Sequence, residues 1–170
     1  MMRLVLLRHA KSDWHSAAAT DRERPLTSRG KREALRVGHR LARAGWIPDR
    51  VISSDATRAL ETWTRMAPAF GQPIELTTTR RLYDAGLGAI AEVLGQLPSE
   101  VSTVMAIGHN PGWEQAASDL AGVPVSLTTA NAALLSRDDV PWRDAVQPGA
   151  WKLVSVVRPK EIGETDPASG

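Results

Sequence analysis

The sequence predicts a three-layer α/β sandwich, a mostly parallel central sheet flanked by helices. Three observations carry this expectation. Apolar runs of strand length alternate with stretches of helical periodicity, the pattern of a sheet whose strands are joined by helices. The first apolar run, Leu4-Val5-Leu6-Leu7, has no polar alternation, which suits a strand covered on both faces. The chain has 170 residues, 42% hydrophobic and 24% charged, enough for one ordinary domain with a real core.

Taken in order, residues 3–7 read as a strand that stops abruptly at Arg8-His9. Residues 15–24 are a polar loop rich in small and charged side chains. A helix begins around Pro25-Leu26-Thr27-Ser28, with Thr27 or Ser28 as its N-cap. Ala34, Val37 and Leu41 share one helical face, and Gly45 is placed to stop it. Residues 50–53 form a short strand, and Ser54-Asp55 supply a cap for a helix over residues 56–68. A third strand is expected at 73–76 and a short helix at 87–97. Residues 101–107 are another apolar strand, ending at Gly108-His109-Asn110-Pro111-Gly112. Trp113, Ala116, Ala117 and Leu120 then share a helical face. Residues 132–135 and 151–157 read as strands with no helix between them, a hairpin-like pair at the sheet edge. Residues 1–158 make a single domain, and 159–170, polar with Gly and Pro, read as a flexible tail.

Composition excludes several function classes. There are no cysteines, so disulfides, thiolate catalysis and Cys-based zinc sites are out. The formal net charge is +2 with no dense Lys/Arg run, which argues against a nucleic-acid partner. No stretch has the length of a transmembrane span or the shape of a signal peptide, so no membrane partner is expected. The expectation is a cytoplasmic monomer. No His/Asp/Glu spacing points to a metal site.

The informative pattern is a pair of strand ends. Leu7-Arg8-His9 and Gly108-His109-Asn110 each terminate an apolar strand in a histidine. In a parallel sheet both ends lie on one edge, where α/β proteins place their chemistry. Arg58, just inside the helix that follows Ser53-Ser54-Asp55-Ala56, points to the same edge. Two arginines and two histidines suit a phosphoryl dianion. Arg presents a planar fork of donors that matches phosphate oxygens. A neutral imidazole can attack phosphorus through one nitrogen while a hydrogen bond holds the other. A lone strand-end histidine is more often structural; the weight lies in three matching junctions occurring in order. His15 and His39 have no such company.

These segments resemble a known family. Leu6-Leu7-Arg8-His9-Ala10-Lys11-Ser12 is similar to the Arg-His signature of the histidine phosphatase superfamily, in the form found in SixA-like phosphohistidine phosphatases. Arg24-Pro25-Leu26-Thr27 with Gly30 looks like the loop opening that family's first helix. Ser53-Ser54 with Arg58-Ala59 and Glu61-Thr62 resembles its second arginine motif, and Gly108-His109-Asn110-Pro111 its second histidine motif. Thr128-Thr129 and Ala132 resemble a later segment. The resemblance implies a phosphoglycerate mutase-like sandwich with no metal or other cofactor. It implies that His9 is the nucleophile and becomes phosphohistidine, while Arg8, Arg58 and His109 hold the phosphoryl oxygens. Lys11, Ser12 and Asn110 are further candidates for substrate contact.

Two departures stand out. Ala10 replaces the glycine of the commonest signature. Asn110 follows His109 where some relatives carry an acid, and an amide cannot donate as one; Asp84 is the nearby carboxylate left as a candidate proton donor. Phosphate esters need a strong general acid for the departing alkoxide, whereas phosphohistidine loses an imidazole, a far better leaving group. The loops are also too short for a sizeable lid, and an open site suits a phosphorylated protein. The expected activity is hydrolysis of phosphohistidine on a protein, releasing inorganic phosphate, with Trp14 on the rim as a contact aromatic or a packing residue. The alternatives are a phosphomonoesterase for small molecules on the same fold and a non-catalytic phospho-binding module.

Overall fold

The structure, a computed structural model, describes residues 1–162. Six strands form one sheet: β1 (Met2–Arg8), β2 (Arg50–Ser54), β3 (Glu75–Thr79), β4 (Thr103–Gly108), β5 (Ala132–Arg137) and β6 (Lys152–Val157), in the order β3-β2-β4-β1-β5-β6. Only β5 runs against the others. Helices α1 (Ser28–Arg43) and α2 (Thr57–Met66) cover one face, and α3 (Leu87–Leu94), α4 (Gly112–Ala121) and the single turn α5 (Trp142–Ala145) cover the other. This is the three-layer sandwich read from the sequence. Among the described residues no helix is long and apolar enough to cross a membrane.

The central strands explain the two-sided core. Leu4 and Leu6 of β1, with Val104 and Ala106 of β4, point toward α3, α4 and α5. Val5 and Leu7, with Met105 and Ile107, point toward α1 and α2. All eight side chains are fully buried. Successive strand residues alternate faces, so an unbroken apolar run is what two covered faces require. Burying a Leu-sized side chain contributes roughly 1.5–3 kcal/mol, which makes β1 and β4 the anchor of the sheet.

Several elements differ from the sequence reading. The third strand is Glu75–Thr79, two to three residues beyond its expected place. It is an exposed edge strand paired only with β2, so β-branched Thr77, Thr78 and Thr79 define it rather than apolar alternation. The expected helix at 56–68 is α2 followed by a 3-10 turn, Ala67–Phe70, because Pro68 cannot continue the α-helical bonding. The short helix expected to reach residue 97 ends at Leu94. A helical turn does stand between the last two strands: α5 buries Trp142, whose Nε1 donates to the Val101 carbonyl at 2.7 Å and whose ring stacks on Trp151. The tail does not begin at residue 159. Pro159–Glu161 form a 3-10 turn, and Pro159 and Ile162 are buried, Ile162 within the α1 face of the core and Pro159 beside it. The rest of the expected tail, 163–170, lies outside the described residues.

Candidate active site

Strand register brings the site together. Arg8 of β1 lies opposite Gly108 of β4, so His9 and His109 leave neighbouring strand ends side by side, their ring centroids 5.2 Å apart. Ser53 of β2 lies opposite Ile107, which sets Ser54 beside His109. Gly108 permits the approach: a Cβ there would sit 2.4 Å from the Trp113 ring of α4. The His9 segment is tied in turn to α2. The Ala10 N–H donates to Thr62 Oγ1 at 3.0 Å, and that hydroxyl donates to the Arg58 carbonyl at 2.7 Å. Gly30, opening α1 under the Thr27 cap, lets the helix press on the Lys11 carbonyl, which a Cβ would approach to 2.1 Å.

A cavity of about 250 Å³ opens at this edge, lined by Arg8, His9, Lys11, Ser12, Arg58, Asp84, His109 and Asn110 among others. All eight site candidates read from the sequence therefore face one space. His9, Arg58 and His109 are buried, whereas Lys11 and Asp84 are exposed at the rim.

The hydrogen bonds define what each group can do. His9 Nδ1 lies 2.7 Å from the Ala10 carbonyl. A carbonyl only accepts, so Nδ1 carries the proton and Nε2 keeps its lone pair. His109 Nε2 lies 2.7 Å from Ser54 Oγ, which already accepts from the Ala56 N–H. With Ser54 donating to Nε2, His109 presents its Nδ1–H as a donor. That buried Nδ1, with Arg8 Nε and Arg58 Nε, has no protein partner. Buried donors without partners carry a desolvation cost of about 1–3 kcal/mol each, which an anion in the cavity would relieve. Asn110 is differently occupied: its Nδ2 donates to the Leu127 carbonyl and its Oδ1 accepts from the Glu114 N–H, so its amide ties loops together.

Electrostatics hold both imidazoles neutral. Burial, reinforced by His109, Arg58 and Arg8, pushes His9 down to about 3. Burial and the Arg58 guanidinium push His109 down to about 4. In 15N-histidine-labelled protein both rings are expected to stay neutral at about pH 5, where an unperturbed imidazole is mostly charged. Folded values below the unfolded one mean that the stability they contribute is complete above about pH 6.5 and is lost as pH falls toward 4 and then 3. NMR midpoints near 6.5 would refute this reading.

Four side chains of the site were not singled out from the sequence as site residues. Asp21, in the 3-10 turn Asp21–Glu23, takes Arg58 through its carbonyl at 2.8 Å and its carboxylate at 3.1 Å. The same carboxylate accepts from Arg24 and from the Tyr83 hydroxyl, and these bonds hold it down at about 2. Arg24 is buried, donates to Ser12 Oγ, and stacks on the Trp14 ring at 3.5 Å, so Trp14, 69% exposed, is a stacking partner. Tyr83 and His109 meet edge to face, their ring centroids 5.4 Å apart. Ser54, expected as a helix cap, does not cap α2, whose N-cap is Ala56 with no side-chain cap bond; it accepts from the Ala56 N–H and orients His109. Asp55, read with it, pairs with Arg22 instead. Of these, Arg24 and Ser54 left a sequence signal, Arg24 in its Arg-Pro-Leu-Thr run and Ser54 in the Ser53-Ser54 segment ahead of Arg58. Among the described residues no group of three His, Asp or Glu gathers as metal ligands.

Comparison with known proteins agrees with this geometry. The model of the histidine phosphatase superfamily, branch 1, matches residues 4–110. An uncharacterized chloroplastic protein of Arabidopsis thaliana is 39% identical over 169 residues, covering 92% of this chain and 78% of that one. The SixA structure from Agrobacterium tumefaciens is 27% identical with a TM-score of 0.77, covering 93% of this chain and 98% of that one. The protein histidine phosphatase SixA complexed with tungstate shares the fold at a TM-score of 0.79 and 23% identity, covering 94% and 98%. With the matched stretch running from the first buried strand to the residue after the second histidine, the chain belongs to the histidine phosphatase superfamily.

Proposed function

We propose that the protein is a phosphatase acting on phosphohistidine carried by a protein, through a covalent intermediate on His9. One observation carries this reading: Nδ1 of His9 is fixed on the Ala10 carbonyl, which leaves Nε2 unprotonated in a cavity ringed by partnerless donors of Arg8, Arg58 and His109. Nε2 attacks phosphorus as the P–N bond to the substrate imidazole breaks, and the departing imidazole takes a proton from solvent. Water then attacks the phosphoenzyme, giving orthophosphate and neutral His9. Arg8 and Arg58 supply fixed positive donors, and His109 a neutral N–H, to the equatorial oxygens, where charge spreads in the transition state.

The acid inventory favours the phosphoramidate. Asp21 is held ionised by Arg58, Arg24 and Tyr83 and cannot serve as a proton donor. Asn110 is an amide bonded elsewhere. Asp84 is the remaining carboxyl of the cavity, exposed on a left-handed backbone at φ 51°. An open cavity of this size also fits a residue presented by a protein surface.

The test is a rapid-quench comparison of a phosphohistidine peptide with aryl and alkyl phosphates. We expect an acid-labile phosphoenzyme and a kcat/KM for the peptide at least about 100-fold above that for the alkyl ester. Asp84→Ala should depress ester turnover and spare the peptide. Equal turnover of both classes, or equal loss on both in Asp84→Ala, would overturn the assignment.

A further inference from the structure

A second concavity of about 230 Å³ opens beside the first and shares Lys11 and Thr129 with it. Its other walls are Arg29 and Glu33 on the first turns of α1, the loop before β5, and Arg158 with Lys160 after β6. Four cations thus face one carboxylate. That carboxylate is already occupied, since Glu33 accepts from Arg29 Nε at 3.2 Å. The groove is a fixed structure. Asn131, 1% exposed, accepts from Arg158 Nη1 at 2.5 Å, and the same oxygen accepts from the N–H and hydroxyl of Thr128. Arg158 also lies 3.7 Å from Glu161. Lys11 and Lys160 are exposed, and neither has a carboxylate within ion-pair distance among the described residues.

We propose that this groove binds acidic side chains flanking the phosphorylated residue of a substrate polypeptide. The inference rests on the reading of the main cavity as a site for a phosphorylated protein. The two concavities adjoin at Lys11 and Thr129, so the groove lies in reach of a chain that presents its phosphoryl group to His9. Concentrated positive charge there raises the local concentration of an anionic flank and selects among substrates by charge rather than by shape. The groove is lined by four cationic side chains together with Thr128, Thr129 and Asn131, which fits Asp and Glu side chains on an extended segment.

The experiment compares phosphohistidine peptides with acidic, neutral or basic residues on each side of the phosphohistidine. The proteins are wild type and the double variant Lys160→Glu with Arg29→Gln; neither residue belongs to the phosphoryl site. Wild type should favour an acidic flank on one side by about tenfold in kcat/KM, with the preference shrinking as salt rises. The variant should lose or invert that preference while hydrolysing a minimal phosphoramidate at the wild-type rate, which also reports intact folding. Hydrolysis of all peptides without dependence on the flank, or a preference retained by the variant, overturns the groove assignment alone. Failure to hydrolyse any phosphohistidine peptide, with phosphate esters still turned over, overturns the reading beneath it and this inference together.

Discussion

His9→Ala should reduce phosphohistidine hydrolysis by at least about 10⁴-fold and abolish the labelled phosphoenzyme. The loss is large because no neighbouring group can replace the missing nitrogen. His109 Nε2 is committed to Ser54, and its Nδ1 lies on the donor side of the cavity in the tautomer that bond favours. Asp21 is tied to Arg58, Arg24 and Tyr83. The fold should survive, since the His9 side chain makes one hydrogen bond, to the next residue's own carbonyl, while β1 is held by its backbone register to β4 and β5. The measurement is rapid quench with labelled phosphohistidine peptide, paired with urea unfolding of the variant. Label retained at the wild-type level would place the covalent step elsewhere or remove it.

The second large effect is expected at Arg58. Arg58→Ala should lower kcat/KM by about 10²–10³-fold, the range seen when one fixed donor to developing charge is removed. Arg58→Lys should recover little of it. The guanidinium is 5% exposed and directs two N–H groups to Asp21 while its Nε remains without a protein partner. A lysine ammonium is a point charge and cannot hold both the Asp21 bonds and a planar contact to phosphoryl oxygens. Deleting the cation also leaves the Asp21 carboxylate to Arg24 and Tyr83 alone, so the loop that carries it should loosen. Steady-state kinetics on both variants separates these outcomes. A lysine variant within a few-fold of wild type would show that charge alone suffices.

The sheet's centre was legible because of a physical constraint. A strand covered on both faces has no polar alternation, so β1 and β4 announced themselves, and each is followed directly by a histidine. β3 was misplaced because it is an exposed edge, where burial imposes no pattern and threonines stand in for aliphatics. The turn α5 was missed because four residues are too few to show a period; a buried Trp142 hydrogen-bonded to β4's approach holds it. The buried turn after residue 158 was read as tail because polar composition hid Pro159 and Ile162, whose partners lie in distant sequence.

The candidate site divides the same way. From sequence alone, residue types and strand ends determined that His9, Arg8, Arg58 and His109 form one anion-directed set on one sheet edge, because parallel strands bring their ends to a common side. Only the tertiary structure decided the set's electrostatic state. Which nitrogen of His9 is free depends on a carbonyl one residue away, the orientation of His109 on a serine 55 residues earlier, and the environment of Arg58 on Asp21, 37 residues upstream. Hydrogen-bond geometry and burial fix protonation, and both are properties of packed surfaces that no local run of residues encodes.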